Sequence, residues 1–178
     1  MRSLQEAIGR ELRWKPRSLL SRFHDLVDPQ SDDGEPYATL HWRPGLMMRG
    51  PAEAESGDGR WRFRPRGLWR GQVLVLAPDD DASVATLRRF WRRSVLRFED
   101  GREFVWRRQS WWSCSWRFED GNGTAVVRLR GSFPIPRATA RVEIDSSAAP
   151  VETRALLTCL GWYLIILARR RAAAHGGG

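Results

Sequence analysis

The sequence predicts a mainly β fold closed around one C-terminal helix. Three observations carry that prediction: period-two alternation from Tyr37 onward, a repeated strand–turn–strand unit, and a last segment that is apolar on every side. The chain has 178 residues, 42% hydrophobic and 29% charged, which suits one globular domain able to bury most of its apolar surface.

The first residues read differently from the rest. Ser3 and Glu6 have capping-box spacing, and Leu4, Ile8 and Leu12 recur every four residues, which predicts a short amphipathic helix over 3–14, stopped by Pro16. A second helical stretch over 18–27 would turn Leu19, Leu20, Phe23 and Val27 to one side. Residues 28–36 (DPQSDDGEP) are polar and rich in turn formers. The expected organisation is therefore an N-terminal helical appendage and linker over 1–36, a β domain over 37–171 and a flexible tail over 172–178.

From Tyr37 the period is two. Ala138, Ala140, Val142 and Ile144 alternate with Thr139, Arg141, Glu143 and Asp145, and Ala125, Val127 and Leu129 alternate with Arg128 and Arg130. Such alternation marks strands with one buried and one wet face. Similar segments occur near 37–42, 45–49, 60–64, 68–76, 83–89, 94–98, 102–108 and 111–118, giving about ten short strands. Arg97-Phe98-Glu99-Asp100-Gly101 recurs twenty residues later as Arg117-Phe118-Glu119-Asp120-Gly121, the length of one hairpin. The pattern is a meander joined by tight acidic-Gly turns.

Ala155 to Ala168 is apolar all round, with Arg154 before it and Arg169, Arg170 and Arg171 after it. A helix hydrophobic on every face must be surrounded by lipid or by protein. Fourteen residues of helix span about 21 Å, short of the roughly 30 Å of a bilayer core, which favours protein. The trailing arginines suit the negative end of the helix dipole. A sheet that closes around this helix removes its own edges, and the small strand residues Ala125, Val127, Ala138 and Ala140 leave room inside. The expected architecture is an antiparallel closed barrel or roll of about 10–12 strands enclosing the C-terminal helix.

Charge is uneven along the chain. The basic residues are 29 Arg and a single Lys15, and the formal net charge is +9. Residues 1–59 hold 8 basic against 10 acidic side chains, residues 60–117 hold 14 against 6, and residues 118–178 hold 8 against 5. The excess in the middle third predicts a localised positive potential. Its candidates for binding an anion or lipid are Arg60, Arg62, Arg64, Arg66, Arg70, Arg88, Arg89, Trp91, Arg92 and Arg93. Guanidinium forks meet oxyanions bidentately, and a tryptophan supplies an interfacial ring. Single-stranded nucleic acid uses the same ingredients, and an alternating strand with arginine on its wet face needs neither. Trp106, Trp111, Trp112 and Trp116 read as core and strand-pair residues; Trp112 and Trp116 share a face, and Trp111, opposite them, is the better candidate for an exposed contact. A protein partner could instead dock on Leu4, Ile8, Leu12, Leu20 and Phe23, an apolar set that could equally pack on the barrel.

Catalysis finds little support. His24, His41 and His175 stand in unrelated contexts without a nucleophile motif, and Cys114 and Cys159 match no metal spacing. No cofactor, metal or small-molecule substrate is expected. Isolated cysteines and charges that interrupt every early apolar run point to a cytoplasmic setting, with peripheral membrane contact possible.

The short strands with Asp-Gly turns, the pieces Trp61-Arg62-Phe63 and Trp116-Arg117-Phe118, and the ending Leu160-Gly161-Trp162-Tyr163-Leu164-Ile165-Ile166-Leu167 resemble the tubby-like superfamily, including its LURP-one-related and phospholipid-scramblase-like branches. The resemblance covers about residues 37–171. It implies a twelve-stranded antiparallel barrel threaded by the terminal helix, and association with anionic lipid at membrane surfaces. Asp145 to Pro150 lacks the acidic calcium segment of the scramblase branch, so calcium control does not carry over. The resemblance favours anionic lipid or an acidic protein partner over nucleic acid.

Overall fold

A computed structural model describes residues 1–18, 22–31, 34–43, 50–66, 71–89, 93–109, 114–132, 138–146 and 149–175. The strands are β1 (Glu11–Pro16), β2 (Phe23–Val27), β3 (Ala38–Trp42), β4 (Ala52–Ser56), β5 (Gly59–Arg66), β6 (Gln72–Leu76), β7 (Ser83–Arg89), β8 (Arg93–Phe98), β9 (Glu103–Arg108), β10 (Ser115–Glu119), β11 (Ala125–Ser132) and β12 (Thr139–Ile144). Each pairs antiparallel with its sequence neighbours, and β1 pairs with β12, so the sheet closes into a twelve-stranded up-and-down barrel. One helix, α1 (Val151–His175), follows.

The N-terminal expectation is corrected. Only Leu4–Ala7 is helical, as a single 3-10 turn capped by Ser3. Gly9, at φ 76°, ends any helical continuation, and β1 then places Leu12 and Trp14 inward while Glu11, Arg13 and Lys15 face water. The four-residue spacing of Leu4, Ile8 and Leu12 therefore belongs to two different elements. Phe23–Val27 is likewise a strand, with His24 and Leu26 buried. β1 and β2 are staves of the barrel wall and not part of an appendage.

Nine of the expected strands are present, and the expected strand near 45–49 lies outside the described residues. β4 was not expected. Its sequence AEAES is poor in strand formers, yet Ala52 and Ala54 face inward while Glu53 and Glu55 face out. Pairing on both sides overrides the weak local preference.

Small inward residues make space for the helix. Ala38, Ala52, Ala54, Ala85 and Ala140 are all buried on the wall, and α1 is buried from Thr153 through Leu167. It touches β3, β4 and β5 on one side and β10, β11 and β12 on the other. Three consecutive residues, about 100° apart on the helix, meet three walls. A Cβ on Gly161 would come within 2.8 Å of Leu129 Cδ1 and 3.1 Å of Trp106. Trp162 stacks on Trp14 at 6.0 Å and meets His24 at 5.6 Å. Tyr163 stacks on Trp42 at 4.8 Å and tilts against Phe63 at 5.2 Å.

α1 is longer than expected at both ends. Its stretch Val151–Arg170 is long and apolar enough to cross a bilayer, and 83% of the most apolar part of that stretch is buried in the barrel. Residues 172–175 are helical, which replaces the expected tail there.

Antiparallel order gives the barrel two distinct ends. At the turn end lie the short connections 57–58, 77–82, 99–102 and 120–124 together with the start of α1. The N-terminal 3-10 turn seals this end with buried Leu4 and Ala7. Asp58 holds it there, accepting from Ser3 Oγ at 2.5 Å and from the Leu4 N–H at 2.7 Å. Gln5 Oε1 accepts from Arg154 Nη2 at 2.8 Å, so the buried guanidinium at the helix start has a partner. Gly57 is needed because a Cβ would lie 2.6 Å from the carbonyl oxygen of Arg2. The opposite, exit end is where α1 leaves the barrel.

Candidate anion-binding face

Period-two strands fix which arginines face water, and antiparallel pairing fixes their height along the barrel axis. Four strands repeat one order from turn end to exit end: Glu11 then Arg13 and Lys15 on β1, Glu103 then Arg107 on β9, Glu119 then Arg117 on β10, Glu143 then Arg141 on β12. The turn end adds Asp28, Glu35, Asp58, Asp79, Asp80, Asp81, Glu99, Asp100, Asp120 and Asp145. The exit end adds Arg22, Arg66, Arg88, Arg93 and Arg130. Its acids Asp25 and Glu53 are neutralised, Asp25 by Arg17 at 2.7 Å and Glu53 by Arg43. The turn end also holds Arg2, Arg10, Arg97 and Arg102, paired with Glu6, Asp28, Glu103 and Asp100, and its acids outnumber these cations, so the barrel is acidic at one end and basic at the other.

The sequence-predicted arginines divide on this axis. Arg60 pairs with Glu55 at 2.8 Å, while Arg62 and Arg64 share Asp81 at 3.3 and 3.7 Å. Arg62 also donates to the carbonyl of Asp80 at 2.6 Å. These three are balanced by carboxylates. Arg66 and Arg88 flank Gln72 across β5, β6 and β7, and Arg93 stands opposite Arg107. Arg66, Arg88 and Arg93 have no ion-pair partner among the described residues. Arg88 and Arg93 line a surface groove of about 490 Å³ with Thr86, Val95, Arg97 and Glu103. Arg70, Trp91 and Arg92 lie outside the described residues, as do Trp111 and Trp112.

Arg89 does not belong to this face. It pairs with the inward Ser94, its Nη1 is buried without a hydrogen-bond partner among the described residues, and burial pushes its pKa down. Beside it at the exit end, Arg170 sits over the Trp42 ring at 4.2 Å. Burial also lowers the pKa values of Arg169 and Arg170. Gly131 leaves room for Arg169, whose Nη2 would lie 2.9 Å from a Cβ there. His24, buried against Trp162, is pushed down to about 4, chiefly by burial and then by the charge of Arg170. The exit end is therefore cationic inside the wall as well as outside.

The predicted protein-docking set is dispersed. Leu4 and Leu12 are buried in the core, so they are not presented to a partner, and Ile8 is half-buried. Phe23 is 37% exposed and stacks on His41 at 4.1 Å, with Arg17 over its ring. Leu20 lies outside the described residues. Trp106 is buried and Trp116 half-buried, both on the inner side.

Sequence reasoning missed Arg13, Arg107, Arg117, Arg128, Arg130 and Arg141 as members of one face. Alternation had already put Arg128, Arg130 and Arg141 on wet sides. The missing signal was register, which brings residues distant in sequence to one height. Among the described residues no group of three or more His, Cys, Asp or Glu could hold a metal ion. Comparison with protein-family models, curated proteins and solved structures finds no match to the chain.

Proposed function

We propose that this protein is a non-enzymatic module that binds anionic lipid peripherally, exit end toward the membrane, with a tubby-like barrel as its scaffold. The twelve strands, the closed up-and-down order and the enclosed terminal helix support the scaffold part of the reading. The repeated Glu-to-Arg order on β1, β9, β10 and β12 carries the lipid part. An axial separation of charge orients the barrel in the field of an acidic surface, attracting one end and repelling the other. Each Arg near such a surface contributes about 1 kcal/mol, falling off within a Debye length of about 8–10 Å.

Cosedimentation with vesicles tests it. Binding to vesicles containing phosphatidylserine, release at high salt and no binding to neutral phosphatidylcholine are expected. The double change Arg13→Glu with Arg130→Glu should lower binding about tenfold or more, while Arg10→Glu at the turn end should not lower it. Equal binding to neutral and acidic vesicles, or equal losses from changes at the two ends, would overturn the reading.

A further inference from the structure

The loops of the turn end are closed by their own hydrogen bonds, but the barrel mouth beside the start of α1 is only partly covered. The N-terminal 3-10 turn sits over the side that holds Asp58 and Arg154. Between α1 and strands β5, β7 and β8 a cavity of about 400 Å³ opens to solvent. Its walls are apolar, formed by Trp61 from β5, Val84 from β7, Phe98 from β8 and Leu156 from α1. The Trp61 ring lies here because Gly59, at φ 153°, carries no side chain. A Cβ on Gly59 would come within 2.7 Å of Trp61 Cζ2. Cavities of about 300–1,000 Å³ with aromatic walls and a few convergent polar groups are where small ligands bind.

The polar groups of this cavity leave a net negative rim. Glu99, just after β8, and Glu152, in the first turn of α1, line it and have no ion-pair partner among the described residues. Arg102 is the cation of the lining, and its donors are already engaged. Its Nε donates to Asp100 at 2.7 Å and its Nη1 to Thr153 Oγ1 at 2.8 Å, while the guanidinium lies 4.7 Å over the Phe98 ring. Asp100 therefore balances Arg102, and the two glutamates remain. The N-terminus of α1 adds about half a positive charge, which offsets only part of one carboxylate.

From this geometry we infer that the barrel mouth binds a small organic cation, an amine carried on an apolar ring. The ring packs in the cavity of Trp61 and Phe98, and the ammonium faces Glu99 and Glu152. Aromatic faces and carboxylates both attract a cation, whereas an anion of the same shape meets repulsion from the rim. The inference stands apart from the lipid reading, because the cavity lies at the end opposite the basic face.

The experiment titrates the full chain with 2-phenylethylamine at about pH 7, where the amine is protonated. Binding is followed by NMR on the indole Nε1–H signal of Trp61, assigned through Trp61→Phe. A saturable shift is expected. 3-Phenylpropionate has the same ring with the opposite charge, and n-butylamine has the charge without the ring. Each should bind about tenfold more weakly or worse. Glu99→Gln with Glu152→Gln changes two exposed side chains and should weaken 2-phenylethylamine about tenfold. Glu6→Gln, at the same end but outside the cavity, should leave binding unchanged. No saturable shift, or equal binding of the amine and the carboxylate, would overturn the inference. So would n-butylamine binding as tightly as 2-phenylethylamine, or the same loss from Glu6→Gln as from the double change.

Discussion

The two ends of the barrel are made from the same strands but solve different problems. At the turn end the connections are short, acidic and hydrogen-bonded to themselves. The Asp120 carboxylate accepts from the N–H groups of Asn122 and Thr124 at 2.9 and 2.8 Å, and Asp58 fastens the N-terminal turn over the opening. At the exit end arginine takes the place of aspartate, on outer positions and on inner ones such as Arg89 and Arg169. The first end is finished by its own hydrogen bonds, whereas the second carries cations in excess of its carboxylates. An unbalanced end is the one to which a partner of opposite charge adds most.

This contrast can be broken at its shared axis. Trp162→Ala removes the ring that ties α1 to Trp14 and His24, and should cost about 3–5 kcal/mol in denaturant unfolding. Hydrogen exchange in the variant should show β1 and β2 opening before β9 and β10. Uniform loss of protection would mean that the barrel has one stability and not two.

The next effect is one of pH. The fold holds His24 neutral, with a pKa of about 4, below the ordinary 6.5, while the unfolded chain takes up a proton at that ordinary value. The resulting stability is complete above about pH 6.5 and is lost as the pH falls from 6.5 towards 4, a change of about 3 kcal/mol. His24→Gln should flatten that part of the stability–pH curve, as measured by urea midpoints between pH 4 and 7. An unchanged slope would remove His24 as its source.

At the turn end, Asp58→Ala deletes both acceptors of the N-terminal turn and should cost about 2 kcal/mol, with limited proteolysis cutting within residues 1–10. Smallest of all, Arg60→Gln breaks an exposed pair with Glu55 and should move stability by less than about 0.5 kcal/mol. A larger loss there would show that the outer ion pairs on β5 hold the wall together.

Much of this fold was legible in the sequence because burial writes a period. β7, β11 and β12 follow from alternation, the turns at Gly101 and Gly123 from acidic-Gly signals, and the enclosed helix from a segment with no polar face. β1 reads as helix because Leu4, Ile8 and Leu12 mimic a helical stripe when an intervening turn at Gly9 is ignored, and β2 because Phe23 and Val27 are four residues apart while the residues that turn inward are His24 and Leu26. β4 was missed because alanine and glutamate lack strand preference and become a strand through their neighbours. The site was less legible than the fold. Residue type and wet face could be read for Arg117 and Arg128, but their alignment with Arg93 and Arg107 is a property of pairing and has no local signature.

Pairing of β1 with β12, Glu11 facing Glu143, has a consequence for biosynthesis. The ring cannot close until β12 has left the ribosome, and the helix that fills it is translated later still. Until then the nascent meander presents an unpaired edge on β1 and an apolar lining without its filling, both of which invite association. Ribosome pausing after residue 144 would hold the chain with all twelve staves made and nothing inside them, the moment at which a chaperone would matter most.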